Sequence, residues 1–523
     1  MQNQPVPRGA VIPVAVALTL LLSAFWGSTG CGFFAHPGGE HRLTVLYFGD
    51  LHGHLLPDDS GRAGFAHLAG LVNRIREENH RSGIPTLVLV AGDCLQGTPV
   101  STLFRGEAEF RALNMLDPDA MVLGNHEFDY GLPRLRELLD LAEFPVLANN
   151  IVETASGDPL VPAFTFHYFD DFFAATIGTV AEDTAVLTTP SNVTGLSFQP
   201  PITATWQAFN TVRYSADFCI ALTHQGLVHD GQLAESINGL SLVVGGHDHL
   251  ALDVPVYPRE HCPVVHAGAD GRFLGRLDLV FTKTAARGRP VISHCRNELI
   301  PIEDSLPEDP EIAALLETYR RRSIEAYGEP LGRLGQALQG ERSEVRRVET
   351  GLGRLVTDLM REATGADAAL INGGAIRASI DAGVVTLGDV ITALPFKNRV
   401  VLVSLSGADI ENALRHGLEA SAGGRGGAFL QVSGLRFSVD HGEPEAIELG
   451  GEPLDAGAEY RVALTDFLVE GGDGFGPWLG RGPEERYESR FLVHDLLAEH
   501  IRRMEGLAGA PPAGRIRMAA PAG

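Results

Sequence analysis

The chain has 523 residues, of which 44% are hydrophobic and 20% charged, and its formal net charge is −25. That length exceeds one ordinary core and predicts two large globular domains. The acidic balance argues against nucleic-acid polymers as partners, since phosphate backbones are bound through positive charge. Any anionic substrate must then be drawn in by local metal or arginine charge.

Residues 1–31 read as a secretory signal: Arg8 is positive, and Val11 to Trp26 is nearly all apolar. The run is too short and too weakly flanked for a permanent membrane span. Small residues before Cys31 predict a lipoprotein with lipid on that cysteine, although Ser28 stands where a larger aliphatic is usual. The alternative is simple cleavage nearby. The expected location is therefore outside the cytoplasm: periplasm, cell surface or outer membrane, with membrane contact only through Cys31. Cys94, Cys219, Cys262 and Cys295 remain, an even number that permits disulfides in an exported chain. Cys262 and Cys295 are the favoured pair, since both fall in one expected sheet region. Cys219 is expected as a buried thiol.

Leu43 to Phe48 is strand-like and ends in Gly49-Asp50-Leu51-His52. Asp50 and His52 are two apart and point the same way from extended backbone, making half a site for a divalent cation. His54 reads as a group behind the ligands or on the substrate side. A helix follows over Phe65 to Arg81, then a strand over Thr86 to Ala91 that ends in Gly92-Asp93. Ala120 to Leu123 leads into Gly124-Asn125-His126-Glu127-Phe128-Asp129. Asn125 offers an amide oxygen to a metal, His126 a proton near neutral pH, and Asp129, one turn on, a carboxylate to hold that ring. The competing reading is an Asn125 helix cap followed by ordinary first-turn acids. Phe218 to Thr223 then ends in His224-Gln225-Gly226, and Leu242 to Val244 ends in Gly245-Gly246-His247-Asp248-His249. A single histidine is more often structural than a ligand. Five apolar strands with ligand chemistry at their ends predict an α/β layered domain with its site at the strand termini. The set suffices for two metals about 3.5–4 Å apart sharing one carboxylate.

These five blocks, in this order, resemble those of the calcineurin-like metallophosphoesterases. The resemblance implies an αββα four-layer domain. Asp50, His52, Asp93 and His249 would hold one metal, and Asp93, Asn125, His224 and His247 the other. His249 stands where the nucleotidase branch often has glutamine. Zinc, manganese, cobalt and magnesium all remain open as the two divalent ions. The ions would activate a bound water to attack phosphorus, while His126, oriented by Asp129, assists the leaving oxygen. Neither a P-loop lysine nor a serine elbow occurs, which removes support from kinase and serine-hydrolase readings.

Glu308 to Tyr327 reads as a linking helix, and Gly328, Pro330 and Gly332 mark a break and a hinge near residues 325–335. The second half carries its own strands, Ala368 to Ile371 and Val400 to Val403. Its expected helices are Gly353 to Thr364 and Gly407 to Leu418. Asn372-Gly373-Gly374-Ala375-Ile376-Arg377 combines tight backbone with a fixed positive charge suited to phosphate. This block resembles part of the C-terminal domain of 5′-nucleotidases. So do Leu394-Pro395-Phe396-Lys397-Asn398, Phe429 to Gly434, and Asp466 to Phe475.

With the first domain, the resemblance covers nearly all the mature chain and points to the 5′-nucleotidase and UDP-sugar hydrolase family. It implies that Phe396 and Phe467 stack on a nucleobase, although core packing is the usual fate of phenylalanine. Asp473 would bind ribose hydroxyls, Arg346 and Arg377 phosphate, and Asn372 would line the site. Two departures bear on substrate range. Arg354 replaces an asparagine, either adding phosphate affinity or facing solvent, and Ala375 replaces a glycine.

The expected domains are residues 41–305 for the metal half, 306–332 for the linker and 333–519 for the nucleotide half. The expected activity is removal of the 5′-phosphate of nucleotides. Alternatives are a 2′,3′-cyclic nucleotide phosphodiesterase, a UDP-sugar diphosphatase, a thiosulfohydrolase-like enzyme, or a non-catalytic surface protein that binds nucleotides.

Overall fold

The computed structural model describes residues 39–57, 64–259, 262–283, 290–424, 426–504 and 509–518. The expected signal segment and Cys31 lie outside these residues. Among the described residues, no helix is long and apolar enough to cross a membrane.

Two six-stranded sheets build the first half. One runs Val291–Pro301, Phe273–Thr282, Glu40–Phe48, Thr86–Val90, Ala120–Val122, Val146–Leu147; its last four strands are parallel. The other runs Val256–Arg259, Cys262–His266, Leu242–Gly245, Phe218–His224, Phe173–Val180, Phe164–Tyr168, with a parallel centre. Side-chain alternation shows how the layers stack. In the second sheet Ile220, Leu222, Val244 and Val265 join the core of the first sheet. Their neighbours Cys219, Ala221, Val243 and Val264 pack instead with Phe209 and Leu233 of the outer helices. Helices over Phe65–Arg81 and Glu107–Leu116 cover the first sheet's other face. The result is the helix–sheet–sheet–helix order implied by the family resemblance.

The linking helix spans Pro310–Tyr327. It starts two residues later than the polar pattern implied. The Asp309 carboxylate accepts from the Glu311 and Ile312 N–H groups, and Pro310 occupies the first turn, so the chain is capped there. Ile312, Leu316, Tyr319 and Ser323, at helical spacing, form its buried face.

The second half is organised on a five-stranded sheet: Leu430–Ser433, Ala368–Asn372, Glu459–Thr465, Arg399–Ser406, Arg486–Leu492. Alternation again sorts its two faces. Ala369, Ile371, Val400 and Ala463 pack with the helices Gly351–Thr364 and Val493–Arg503. Ala368, Leu370, Val401 and Leu464 pack with the helix Gly407–Ala422. Ser406 and Asp409 cap that last helix reciprocally.

The Cys262–Cys295 pairing is not formed. Cys262 lies on the second sheet, whereas Cys295 lies on the edge strand of the first and keeps a free thiol beside Tyr257. Closeness along the chain does not imply one sheet here, because the strand after Cys262 crosses to the other layer. Cys219 is a buried thiol, as expected, and burial pushes it up to about 12.

Candidate active site

The strand ends of the two sheets meet along one edge, where the backbone is strained. Asp50, His52, Asp93, His247 and His249 all have positive φ, from 46° to 92°. Non-glycine residues there cost about 1–3 kcal/mol each, and such strain clusters at functional sites. Asp50, His52 and His249 bring ligand atoms within 4.8 Å of one another, as do Asp93, His224 and His247. His52, Asp93 and His126 do the same between them.

Individual contacts explain the orientations. His224 Nδ1 donates to the Ala91 carbonyl (2.6 Å), leaving Nε2 turned to Asp93 Oδ2 at 3.0 Å. The His247 N–H donates to the Asp50 carboxylate at 2.9 Å, and His247 Nδ1 lies 3.0 Å from Asn125 Oδ1. His52 Nε2 and His249 Nε2 are 2.9 Å apart. Asn125 makes no side-chain cap, so its amide serves the cluster and not a helix start. Asp93 Oδ1 accepts from the His126 N–H at 2.8 Å. A Cβ on Gly124 would meet that same oxygen at 2.2 Å, which is why glycine precedes Asn125.

Electrostatics follow from burial. Desolvation, with Asp93 nearby, pushes Asp50 up to about 7 although His224 opposes it. Asp93 is also desolvated, but His224 and His126 outweigh this and hold it well below the usual carboxylate range. Burial and the His224 charge press His247 down to about 3; burial and neighbouring cations press His52 and His249 down too. Asp93 held ionised, and His52, His247 and His249 held neutral, are in the protonation states a metal centre requires, whereas burial at His224 is outweighed by Asp93 and Asp50, which raise it to about 10, a proton that an ion would have to displace. The donor set therefore fits two divalent ions, and its nitrogen content suits borderline metals.

His126 and Asp129 form a pair on the rim. Nδ1 donates to Asp129 Oδ2 at 2.5 Å, and the side chains are 10% and 7% exposed. Burial works against a charged ring, but Asp129 and Asp93 outweigh it and raise its pKa. Thr188 Oγ1 donates to Asp129 Oδ1, and Asn192 Nδ2 donates to the Asp129 carbonyl.

A cleft faces this cluster, lined from the second half by Arg342, Arg346, Arg377, Asn372, Phe396, Phe467 and Asp473. It also holds Asp93, Asn125, His126, Asp129, His247 and His249. Burial lowers all three guanidiniums, and neighbouring arginine charge adds to it at Arg342 and Arg346. Burial and the other two lower Arg346, burial and Arg377 bring Arg342 to about 10, and burial lowers Arg377. Desolvated like charges of this kind are relieved by an anion. Arg346 Nε and Asn372 Oδ1 are buried with no protein partner, while Asn372 Nδ2 donates to Asp473 Oδ2 at 2.8 Å. The Phe396 ring lies 6.1 Å from that of His126, inclined by 25°. Phe467 is 9% exposed and also belongs to the apolar core.

Arg342 is not evident from the sequence pattern, although its spacing of four from Arg346 could have flagged a shared face. Glu127 is the other concealed member. Its buried carboxylate accepts from the N–H groups of Asp93, Cys94 and Gly124 (2.9, 2.8 and 2.6 Å), binding the loops of the candidate ligands Asp93 and Asn125 together. His54 donates to the Leu51 carbonyl beside Asp270. Arg354 neither joins the cleft nor faces open solvent. It donates to the Pro511 carbonyl and pairs with Glu349, fastening the C-terminal segment.

A two-sheet sandwich with this cluster at its strand ends defines a metal-dependent phosphoesterase. The calcineurin-like phosphoesterase family matches residues 43–251, and the 5′-nucleotidase C-terminal domain matches residues 330–481. Protein UshA of Escherichia coli K12 is 30% identical over 515 residues, covering 89% of this chain and 92% of that protein. The 5′-nucleotidase precursor of Thermus thermophilus superposes with a TM-score of 0.81 at 29% identity, covering 91% of this chain and 99% of the other. The sulfate thiohydrolase SoxB of the same organism shares the fold, with a TM-score of 0.74 at 23% identity over 91% and 96% of the two chains. The chain belongs to the 5′-nucleotidase family of calcineurin-like metallophosphoesterases.

Proposed function

We propose that this protein is an exported phosphohydrolase that removes the 5′-phosphate of nucleotides with two divalent ions. The observation that carries the reading is one cleft with metal-ligand chemistry on one wall and three guanidiniums with two phenylalanines on the other. Asp50, His52, Asp93 and His249 would hold one ion, and Asp93, Asn125, His224 and His247 the second. Bound there, the ions would lower the pKa of a coordinated water and neutralise phosphoryl oxygens. The imidazole-rich donor set favours zinc, manganese or cobalt over magnesium.

Arg342, Arg346 and Arg377 grip the phosphate and offset its charge. His126 presents Nε2 to the leaving oxygen and gives it a proton, while Asp129 fixes the ring through Nδ1. Phe396 and Phe467 stack on the base, a contact of about 1–3 kcal/mol per base in related stacking sites. Asp473 accepts from ribose hydroxyls, with Asn372 Oδ1 as a further acceptor. Residues 41–305 form the metal half, 306–332 the linker and 333–519 the nucleotide half; the exported chain carries lipid on Cys31. Three arginines exceed the need of one phosphate, which favours a nucleoside diphosphate sugar as the second reading.

Phosphate release by metal-free protein, resupplied with Mn, Zn, Co or Mg, tests this on AMP, UMP, UDP-glucose, 2′,3′-cyclic AMP and bis-p-nitrophenyl phosphate. Metal-dependent hydrolysis of AMP or UMP, lost in Asp93→Ala, is expected. Hydrolysis of diesters alone would overturn the monoesterase assignment.

A further inference from the structure

Behind the ligand loops lies a buried ionic clasp. His266, 1% exposed, ends the strand Cys262–His266 and pairs in register with Gly245. Its Nε2 meets Asp230 Oδ2 at 2.8 Å and its Nδ1 meets Asp248 Oδ1 at 3.2 Å. Asp230 Oδ1 accepts from Gln225 Nε2 at 3.0 Å, and Asp248 Oδ2 accepts from the Leu227 N–H at 2.8 Å. The clasp thus ties together the two turns that carry His224 and the His247–His249 pair.

Three features show that this bracket is built. Asp230 is fully buried, a costly place for a carboxylate without a charged partner. A Cβ on Gly245 would stand 2.0 Å from Asp230 Oδ2 and 2.4 Å from His266 Nε2, so the glycine makes room for the pair. Asp248 sits between two residues with positive φ, 92° at His247 and 62° at His249. Such backbone persists only where its surroundings hold it. The anchored Asp248 supplies that hold.

We propose that His266, clasped between Asp230 and Asp248, is a positioning residue for the metal centre, keeping His247 and His249 aimed at the ions. This rests on the reading of His247 and His249 as metal ligands. Partners behind a first set of ligands typically tune metal affinity by about 10–100-fold. The substrate-gripping arginines lie on the other wall and are untouched by the clasp.

The test uses the full mature chain with Asp248→Ala, His266→Gln and, as a ligand control, His249→Ala. Asp248 is 31% exposed in its side chain, so its removal leaves no buried charge unpaired in that turn and keeps the test open should His266→Gln fail to fold. Manganese affinity is measured by chelator competition on metal-free protein, and kcat and KM for AMP at limiting and saturating manganese. The expected result is affinity lower by about 10–100-fold in both clasp variants. Their kcat should recover in excess manganese, and KM for AMP should stay within about twofold of wild type in His266→Gln, since Asp248 lines the cleft and His266 does not. Asp248→Asn, which keeps the acceptor for Leu227, should restore much of the loss. Wild-type affinity in both clasp variants, beside a loss in His249→Ala, would overturn the proposal alone. Unchanged affinity in His249→Ala would overturn the ligand assignment and the clasp's role together.

Discussion

Asp129→Asn isolates the proposed acid from everything else in the cleft. The carboxylate meets His126 Nδ1 at 2.5 Å, and both side chains are nearly buried. Asparagine keeps the shape, and the Asn192 contact to the residue 129 carbonyl survives, so residue 129 stays in place. What is lost is a charge-assisted bond, about 1.5–3 kcal/mol or roughly 10–150-fold. Without that carboxylate, burial disfavours the protonated ring, and the contribution of general acid catalysis, about 10²–10⁴-fold, is eroded. The expected result is kcat for AMP lower by about 10²–10³-fold, with KM within about threefold, because the arginine and phenylalanine contacts are intact. The assay is steady-state phosphate release at saturating manganese, with metal content checked by mass spectrometry. His126→Asn and the double variant complete the cycle. If the pair acts as one unit, the double variant falls no further than His126→Asn. A kcat for Asp129→Asn within about threefold of wild type, or multiplicative losses in the double variant, would refute the dyad.

Other consequences can be measured in parallel. Phe396→Ala should raise KM for AMP by about 5–150-fold, the range of one lost base stack, and leave KM for p-nitrophenyl phosphate unchanged. Stripping the metals should lower the melting temperature as well as abolish turnover, since a ligand present at 1,000 times its Kd stabilises by about 4 kcal/mol. Burial disfavours the His266 charge, but Asp230 and Asp248 prevail and raise its pKa from 6.5 to about 9. A raised histidine contributes stability that is fully present below its unfolded pKa and lost as pH rises through the folded one. The melting temperature of metal-free protein should therefore fall between about pH 6.5 and 9, and His266→Gln should flatten that fall. Glu127→Gln replaces an acceptor shared by four backbone N–H groups, each worth about 1–3 kcal/mol when left unsatisfied, so thermal unfolding should occur well below wild type.

The α/β layering and the candidate ligands were legible because both are local signals, while the αββα order came from the family resemblance. An apolar run ending in Asp, Asn or His marks a strand and its terminal group at once, as at Thr86–Val90 followed by Asp93. Helix bounds were legible to within a turn wherever a cap is unambiguous, and Asp309 explains the shift at the linking helix. What stayed hidden depends on partners distant in sequence. Arg342 sits in a polar stretch that reads as surface until the second half folds over the candidate metal ligands. Glu127 reads as a first-turn acid, yet it organises the backbone at Asp93 and Cys94. Arg354 resembled a phosphate or solvent residue and instead holds the C-terminal segment. Asn192, 63 residues further along the chain, supports Asp129 through its carbonyl. The Cys262–Cys295 expectation failed because a crossover between sheets leaves no local mark.

The proposed hydrolysis needs two divalent ions, with Asp93 as the carboxylate that would be shared between them. Its most direct test is a titration of metal-free protein with manganese, recording bound metal and AMP turnover on the same samples, for wild type and Asp93→Ala. Turnover should rise to its plateau as a second ion per chain is filled, and Asp93→Ala should stay inactive throughout. Full turnover in the metal-free chain, or in Asp93→Ala, would contradict the proposal.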